Sequence, residues 1–340
     1  MNPGTAPVNL WFVVLPDTLL LDLAGPAEAF RLANQQCARR GLPPAFQMHF
    51  VSPTPQATSS VGLPLDGLSP LPDTLPAPSW VWLLGRPGEA REVVRHEPPW
   101  LVTRDWLNRV LGPSLHTPAT PHRLLTVCSG ALLAADAGLL AHREATTHHE
   151  LLDDLAHLAP RCKVQSNRVF VQDGPVWSSA GVTAGIDLAL HLVAEVLGEG
   201  PASAVAQVMV VFHRRGQQDP ELSPLLAGRR HLHPAVHAVQ NAVIESPGED
   251  WSLERMAALA HVTPRHLARL FQQHAGLSPR RHVEQVRLAL AREAHTRGMT
   301  REQAADLAGF SSTRQWRRAR TRQPEEAPGP ADPRPDAPAR

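Results

Sequence analysis

The chain has 340 residues, 43% hydrophobic and 19% charged, with a net charge of +1, which fits about two globular domains and excludes a disordered or collagenous chain. No apolar run approaches the ~18–20 residues that a membrane span needs, and the start, MNPGTAPVNLWFVVLPD, lacks the basic residues and cleavage site of a secretory leader, so a cytoplasmic chain is expected. Cys37, Cys128 and Cys162 are too few and scattered for a disulfide framework or a zinc site, so neither metal nor cofactor is expected.

In chain order, Val8–Leu15 is a near-continuous apolar run, as in a parallel strand covered on both faces. Pro26–Asn34 follows with helical spacing, and Phe46–Val51, Trp80–Leu84 and Leu124–Val127 read as further strands. Ala131–Leu140 and Leu151–Leu158 read as helices, and Val169–Val171 and Val176–Trp177 as short strands around an Asp173-Gly174-Pro175 turn. The apolar helix Gly185–Leu197 closes the set. Such alternation predicts a doubly wound, flavodoxin-like α/β sandwich over residues 1–212.

Beyond Gly198–Pro201 the strands stop, and amphipathic helices are predicted at 202–212, 233–246, 252–260, 264–274, 279–296, 300–308 and 312–320. Residues 213–228 have the composition of a linker, 229–322 form an all-α domain, and the Pro- and Ala-rich 323–340 is a disordered tail. Charge follows this division. Residues 1–227 hold 15 Lys+Arg against 20 Asp+Glu, whereas residues 228–322 hold 16 arginines against 8 acids. The basic segment points to a polyanionic partner, and a solvated arginine surface is the alternative.

Two helix pairs give that partner a shape. Ser252 caps a helix with the inner face Met256, Ala257, Leu259 and Ala260; Val262 fills the turn; Thr263 caps a second helix with Pro264 in its first turn. Leu267, Leu270 and Phe271 form its buried face, which leaves Arg265, His266, Ala268 and Arg269 outward. The pattern recurs with a Thr300/Gln303 capping box, the inner face Ala304, Ala305, Leu307 and Ala308, and a turn at Gly309 before Phe310. Ser311 or Ser312 then caps a helix exposing Arg314, Gln315, Arg317 and Arg318. Between the pairs, 279–296 carries the stripe Val283, Val286, Leu290 and Ala294. Arginines on an exposed helix suit the major groove, where they bond guanine edges.

Residues about 233–320 resemble the DNA-binding domain of the AraC/XylS family, through LERMAALAHVTPRHLARLF, GLSPRRHVEQVRLALA and REQAADLAGFSS. The resemblance places base contacts at Arg265, Ala268 and Arg269 and at Arg314, Gln315 and Arg318. One departure is plain. Trp316-Arg317-Arg318-Ala319-Arg320 replaces the family's aromatic-rich end, with Arg320 where an inward phenylalanine is usual.

In the first half, Leu124–Val127 leads through Cys128-Ser129-Gly130 into a helix, the geometry of a nucleophile elbow. A cysteine there sits at a helix N-terminus, where the dipole favours its thiolate. Asp22 lies after the first strand and either reaches the same sheet edge or caps its helix; His148 adds an imidazole; Arg86 either meets an anion or faces solvent. LLLDLAGPAEAF, TVCSGALLAADAGLL, ATTHH and SSAGVTAGIDLALHLVAEVLG resemble the PfpI-like branch of the class I glutamine-amidotransferase-like superfamily. In that superfamily isonitrile hydratases carry an aspartate and a cysteine at the positions of Asp22 and Cys128.

Joined to an AraC-type domain, this architecture resembles the GlxA-like regulators. That resemblance implies a transcription regulator with promoter DNA, a small nitrogenous effector such as an amino acid or betaine, a second copy of the chain and RNA polymerase as partners, and no membrane. Effector contacts then fall on Asp22, Cys128, Ser129 and His148. Three readings of Cys128 stand side by side: an effector site without turnover, a true nucleophile with Asp22 or His148 as in an isonitrile hydratase or amidase, or a small residue required by the turn. Two other classes remain beside the regulator: an enzyme with a vestigial DNA-binding tail, and an interaction protein that no longer grips DNA.

Overall fold

The apolar runs assemble as strands whose successive side chains face opposite layers. In the computed structural model, which describes residues 6–117, 119–211, 215–217, 233–296 and 298–322, β1 (Val8–Val13) leads into α1 (Leu20–Arg39) and β2 (Phe46–Ser52). The short strands β3 (Ala57–Thr58), β4 (Pro64–Leu65) and β5 (Ser69–Pro70) precede β6 (Ser79–Leu83). Helices α2 (Ala90–Val93), α3 (Pro98–Trp106) and α4 (Gly112–Leu115) follow, then β7 (Arg123–Val127) and α5 (Gly130–Asp136). After them come β8 (Glu144–Ala145), α6 (Leu152–Leu158), β9 (Lys163–Val164), β10 (Phe170–Asp173), β11 (Val176–Ser179), α7 (Thr183–Leu197) and α8 (Glu199–Val208).

Seven strands form one sheet in the order β5-β2-β1-β6-β7-β11-β10, parallel except for the β10–β11 hairpin. Leu10, Phe12 and Val14 pack with α1, α7 and α8 residues such as Phe30 and Leu190 on one face, and Trp11, Val13 and Leu15 with Trp106 and Leu132 on the other. This is the doubly wound sandwich. The strand order reverses between β1 and β6, and in such sheets the crevice at the carboxyl ends beside that reversal is where ligands bind.

The structure departs from the sequence reading at several element bounds and in one long connection. The first helix begins at Leu20 rather than Pro26, and α7 begins at Thr183 rather than Gly185. The stretch 86–115, assigned no element from sequence, supplies α2–α4, with Trp100, Trp106, Leu107, Leu111 and Leu115 in the second core. Pro98 and Pro99 open α3, and proline is well placed in a helix's first turn.

The chain falls into two units, Met1–Glu221 and Leu222–Arg340. The linker expected over 213–228 lies outside the described residues except for Arg215–Gln217, and the tail 323–340 lies wholly outside them. The C-terminal unit contains α9 (Pro234–Glu245), α10 (Leu253–Leu259), α11 (Pro264–Ala275), α12 (Pro279–Thr296), α13 (Arg301–Leu307) and α14 (Thr313–Arg322). Helix α12 contributes Val283 and Val286 to a core with Val239, Met256 and Phe271, and Leu288, Ala291 and Ala294 to a second core with Ala304, Phe310 and Trp316. No described helix is long and apolar enough to cross a membrane.

Gly130 shows how tightly the N-terminal sheet is packed at its carboxyl edge. A Cβ there would run into the Leu83 carbonyl, with the Leu83 carbonyl carbon 2.7 Å away. Backbone cannot step aside as a side-chain tip can. Gly130→Ala is therefore expected to destabilise the N-terminal unit by about 2–3 kcal/mol, read from the shift of its urea midpoint; an unchanged midpoint would contradict the packing.

Candidate functional site

Four segments converge at the carboxyl ends of the central strands. Cys128 follows β7 with φ +53°, the left-handed backbone of a nucleophile elbow, and its side chain is wedged between two glycines. A Cβ on Gly85, after β6, would lie 2.8 Å from Cys128 Cβ and 2.6 Å from Asp22 Oδ2. A Cβ on Gly181, after β11, would lie 2.8 Å from Cys128 Sγ. Asp22 and Cys128, far apart in sequence, thus meet at Gly85.

Asp22 does not cap α1. It sits within the first turn, 0% exposed, and accepts N–H bonds from Gly85 (Oδ2, 3.2 Å) and Val182 (Oδ1, 3.0 Å). Burial pushes its pKa up from the ordinary 3.8 to about 6 against the opposing pull of the Val182 and Gly85 bonds. Val182 is held at φ +51°, ψ −112°, a strained conformation for a β-branched residue. Strain of this kind persists only where the surroundings enforce it, and Asp22 is part of that enforcement.

The Ser129 hydroxyl, expected to contact an effector, is bonded to the loop after β6. Its hydroxyl donates to Arg86 O (2.8 Å) and accepts from Arg86 N (2.7 Å), fastening the loop after β6 to the elbow. The N–H groups of Gly85 and Arg86 are therefore both engaged, by Asp22 and Ser129. Of the first N–H groups of α5, those of Ala131 and Leu132 are also taken, by Cys128 O (3.3 Å) and Ser129 O (3.0 Å). Arg86 matches neither sequence expectation in full: its side chain is 7% exposed, Nη1 donates to Val93 O (3.2 Å), and Nη2 lies 3.6 Å from Asp17.

Thr147 donates to Cys128 O (2.8 Å), which brings the segment carrying His148 beside the elbow. His148 is half-buried, with its ring 4.2 Å from that of His149 and Nδ1 3.6 Å from Glu150. Among the described residues no group of three or more His, Cys, Asp or Glu side chains could hold a metal ion. Glu28, on α1, is exposed and paired with Arg31. Gly181, Val182 and Thr147 were not singled out from sequence; a glycine directly after a strand, in Ala180-Gly181, was the available signal.

In the C-terminal unit, Thr263 Oγ1 accepts from His266 N, Thr300 and Gln303 form the capping box, and Ser312 Oγ accepts from Gln315 N. Each cap contributes about 1 kcal/mol. Of the two candidates, Ser312 is the cap of α14. Leu259 (44% exposed) and Leu307 (49%), expected on the inner faces, are exposed instead. Leu290 is only partly buried, and Leu288 and Ala291 take its place on α12. Arg320 is exposed, while Trp316 and Ala319 form the buried face of α14.

Arg265 and Arg269 are exposed on α11, as are Arg314, Arg317 and Arg318 on α14; His266 and Ala268 are half-buried. Arg269 Nη2 bonds His266 Nδ1 (3.1 Å). Gln315 Oε1 accepts from Ser311 N (2.7 Å) and Oγ (3.0 Å), so two-point contact with adenine requires that bond to open. An open cleft of about 550 Å³ lies between the pairs, lined by Trp251, Ala268, Arg280, Arg287, Phe310 and Gln315 among others.

The raised Asp22 pKa has a measurable sign. The folded chain holds this proton more tightly than the unfolded chain, so stability relative to a variant lacking the carboxyl falls as pH rises from about 4 to about 6, then levels. The free-energy difference between wild type and Asp22→Asn is expected to change by roughly 3 kcal/mol across that window, at about 1.4 kcal/mol per pH unit. Paired urea titrations at pH 4, 5, 6 and 7 measure it, and a pH-independent difference would contradict the burial.

A protein-family profile described as "Helix-turn-helix domain" matches residues 256–330. The HTH-type transcriptional regulator GbdR of Pseudomonas aeruginosa is 29% identical over 324 residues, covering 92% of this chain and 82% of that one. The HTH-type transcriptional regulator GlxA of Rhizobium meliloti is 32% identical over 217 residues (61% of this chain, 64% of that one). An isonitrile hydratase of Pseudomonas putida is 29% identical over 202 residues, 58% of this chain and 76% of its own. Among solved structures, a ThiJ/PfpI family protein from Pseudomonas syringae aligns over 76% of this chain and 92% of that one, at 22% identity and a TM-score of 0.48. Residues 256–330 thus match a helix-turn-helix domain, and the chain as a whole is similar to HTH-type transcriptional regulators.

Proposed function

We propose that this protein is a cytoplasmic transcription regulator that grips promoter DNA through α11 and α14 and responds to a small metabolite bound beside Asp22 and Cys128. The observation that carries the reading is the pair of capped helices whose apolar faces are buried and whose arginines stand outward. Arg265, His266 and Arg269 enter one major groove, and Arg314, Gln315 and Arg318 the next. The named regulators among its relatives support the DNA-binding half. A homodimer, with RNA polymerase as a further partner, belongs to the same reading.

For the N-terminal half, the proposed effector is a small nitrogenous compound, an amino acid or betaine, held without turnover. Support comes from the engaged N–H groups of Gly85 and Arg86, which leave the elbow short of oxyanion donors. Turnover at Cys128 in the manner of an isonitrile hydratase or amidase is the second reading, and the left-handed elbow favours it. Cys128→Ser separates the two: the effector site keeps its metabolite response, whereas an enzyme loses its reaction.

The DNA-binding claim is tested with the full chain and a duplex selected by it. Arg265→Ala with Arg269→Ala should weaken binding at least about thirty-fold, at roughly 1–3 kcal/mol per base-contacting arginine. Fluorescence anisotropy across a salt series measures it. Affinity and salt slope unchanged from wild type would overturn the proposal.

A further inference from the structure

Beyond the expected sites, a densely bonded polar cluster of the N-terminal unit involves a residue from the stretch that continues toward the C-terminal unit. Asp187 on α7 is 5% exposed and takes three contacts from Arg215: the backbone N–H to Oδ1 (3.0 Å), Nε to Oδ2 (2.8 Å) and Nη2 to Oδ2 (2.7 Å). Arg215 Nη2 also donates to Thr183 Oγ1 (2.8 Å). A buried carboxylate is tolerated only when paired this fully, and removing one partner leaves an uncompensated charge.

Thr183 is the first residue of α7, directly after strained Val182. Val182 N–H is held by Asp22, and Gly181 packs on Cys128. Contacts therefore run without a gap from Cys128 and Asp22, through Gly181 and Val182, to Thr183 and Arg215. The Asp22 bond helps hold Val182 at its positive φ, directly before Thr183 and the first turn of α7, against which Arg215 is fitted. An element that both ends bias is what couples two sites.

We propose that the Arg215–Asp187–Thr183 cluster is a releasable clamp, through which occupancy of the Asp22–Cys128 site controls the segment leading to the DNA-binding domain. The proposal rests on the effector reading above, and it assigns that site its output. Arg215 acts as a positioning residue. By linkage the coupling is reciprocal: opening the clamp must loosen the packing around Cys128.

The test uses the full chain and no effector. Hydrogen–deuterium exchange at the Arg215 amide is compared in wild type, Asp187→Ala, Asp22→Asn and Gly181→Ala, with thermal melts confirming folding. Asp187→Ala should raise that exchange at least tenfold, and Asp22→Asn and Gly181→Ala, which touch only the far end, should do the same. Alkylation of Cys128 by iodoacetamide, resolved by peptide mass spectrometry, should quicken at least threefold in Asp187→Ala. Arg215 exchange within twofold of wild type in folded Asp22→Asn or Gly181→Ala would overturn the clamp. If neither of those variants folds, an unchanged Cys128 alkylation rate in Asp187→Ala overturns it. Failure here leaves the effector reading to a separate titration, in which amino acids and betaines are tested for a shift in duplex affinity.

Discussion

Two helix pairs can act as one device only if their separation is fixed, and here that constraint falls on the loop between α9 and α10. Arg287 of α12 donates to Pro247 O (2.8 Å) and Glu249 O (2.7 Å), tying the loop to the middle of the connecting helix. Gly309, at the turn of the second pair, lies so close that a Cβ there would meet Gly248 Cα at 2.6 Å and Pro247 O at 3.0 Å. The first pair, the connecting helix and the second pair thus share one anchoring loop. Gly309 is at φ +77°, so it meets both a conformational and a steric demand.

The N-terminal domain solves a related problem with a carboxylate. Asp22 bridges the loops after β6 and β11 by accepting one N–H from each, and Cys128 sits where those loops close. The arrangement costs desolvation of a charge and strain at Val182, and the tight packing around them maintains both. Packed elements of this kind shift between discrete arrangements rather than deform smoothly.

Local signals in the sequence carried most of the architecture. The alternating apolar runs, the Asp173-Gly174-Pro175 turn and the Ser, Thr and Pro residues at helix starts each act within a few residues of the element they define. What escaped depends on distant partners. Nothing near Ser129 indicates that its hydroxyl belongs to Arg86, and nothing near Asp22 distinguishes a helix cap from a bridge to Gly85 and Val182. Leu259 and Leu307 were read inward because leucine is apolar, although both are exposed. Trp316 looked like part of a degraded family pattern, yet it fills the second core beside Ala319.

Hydroxyl-radical footprinting of the full chain on a duplex it selects tests the fixed separation most directly. Two protected segments on one face of the duplex, centred about one helical turn apart, are the result this account predicts. A single protected segment, or two on opposite faces, would contradict it.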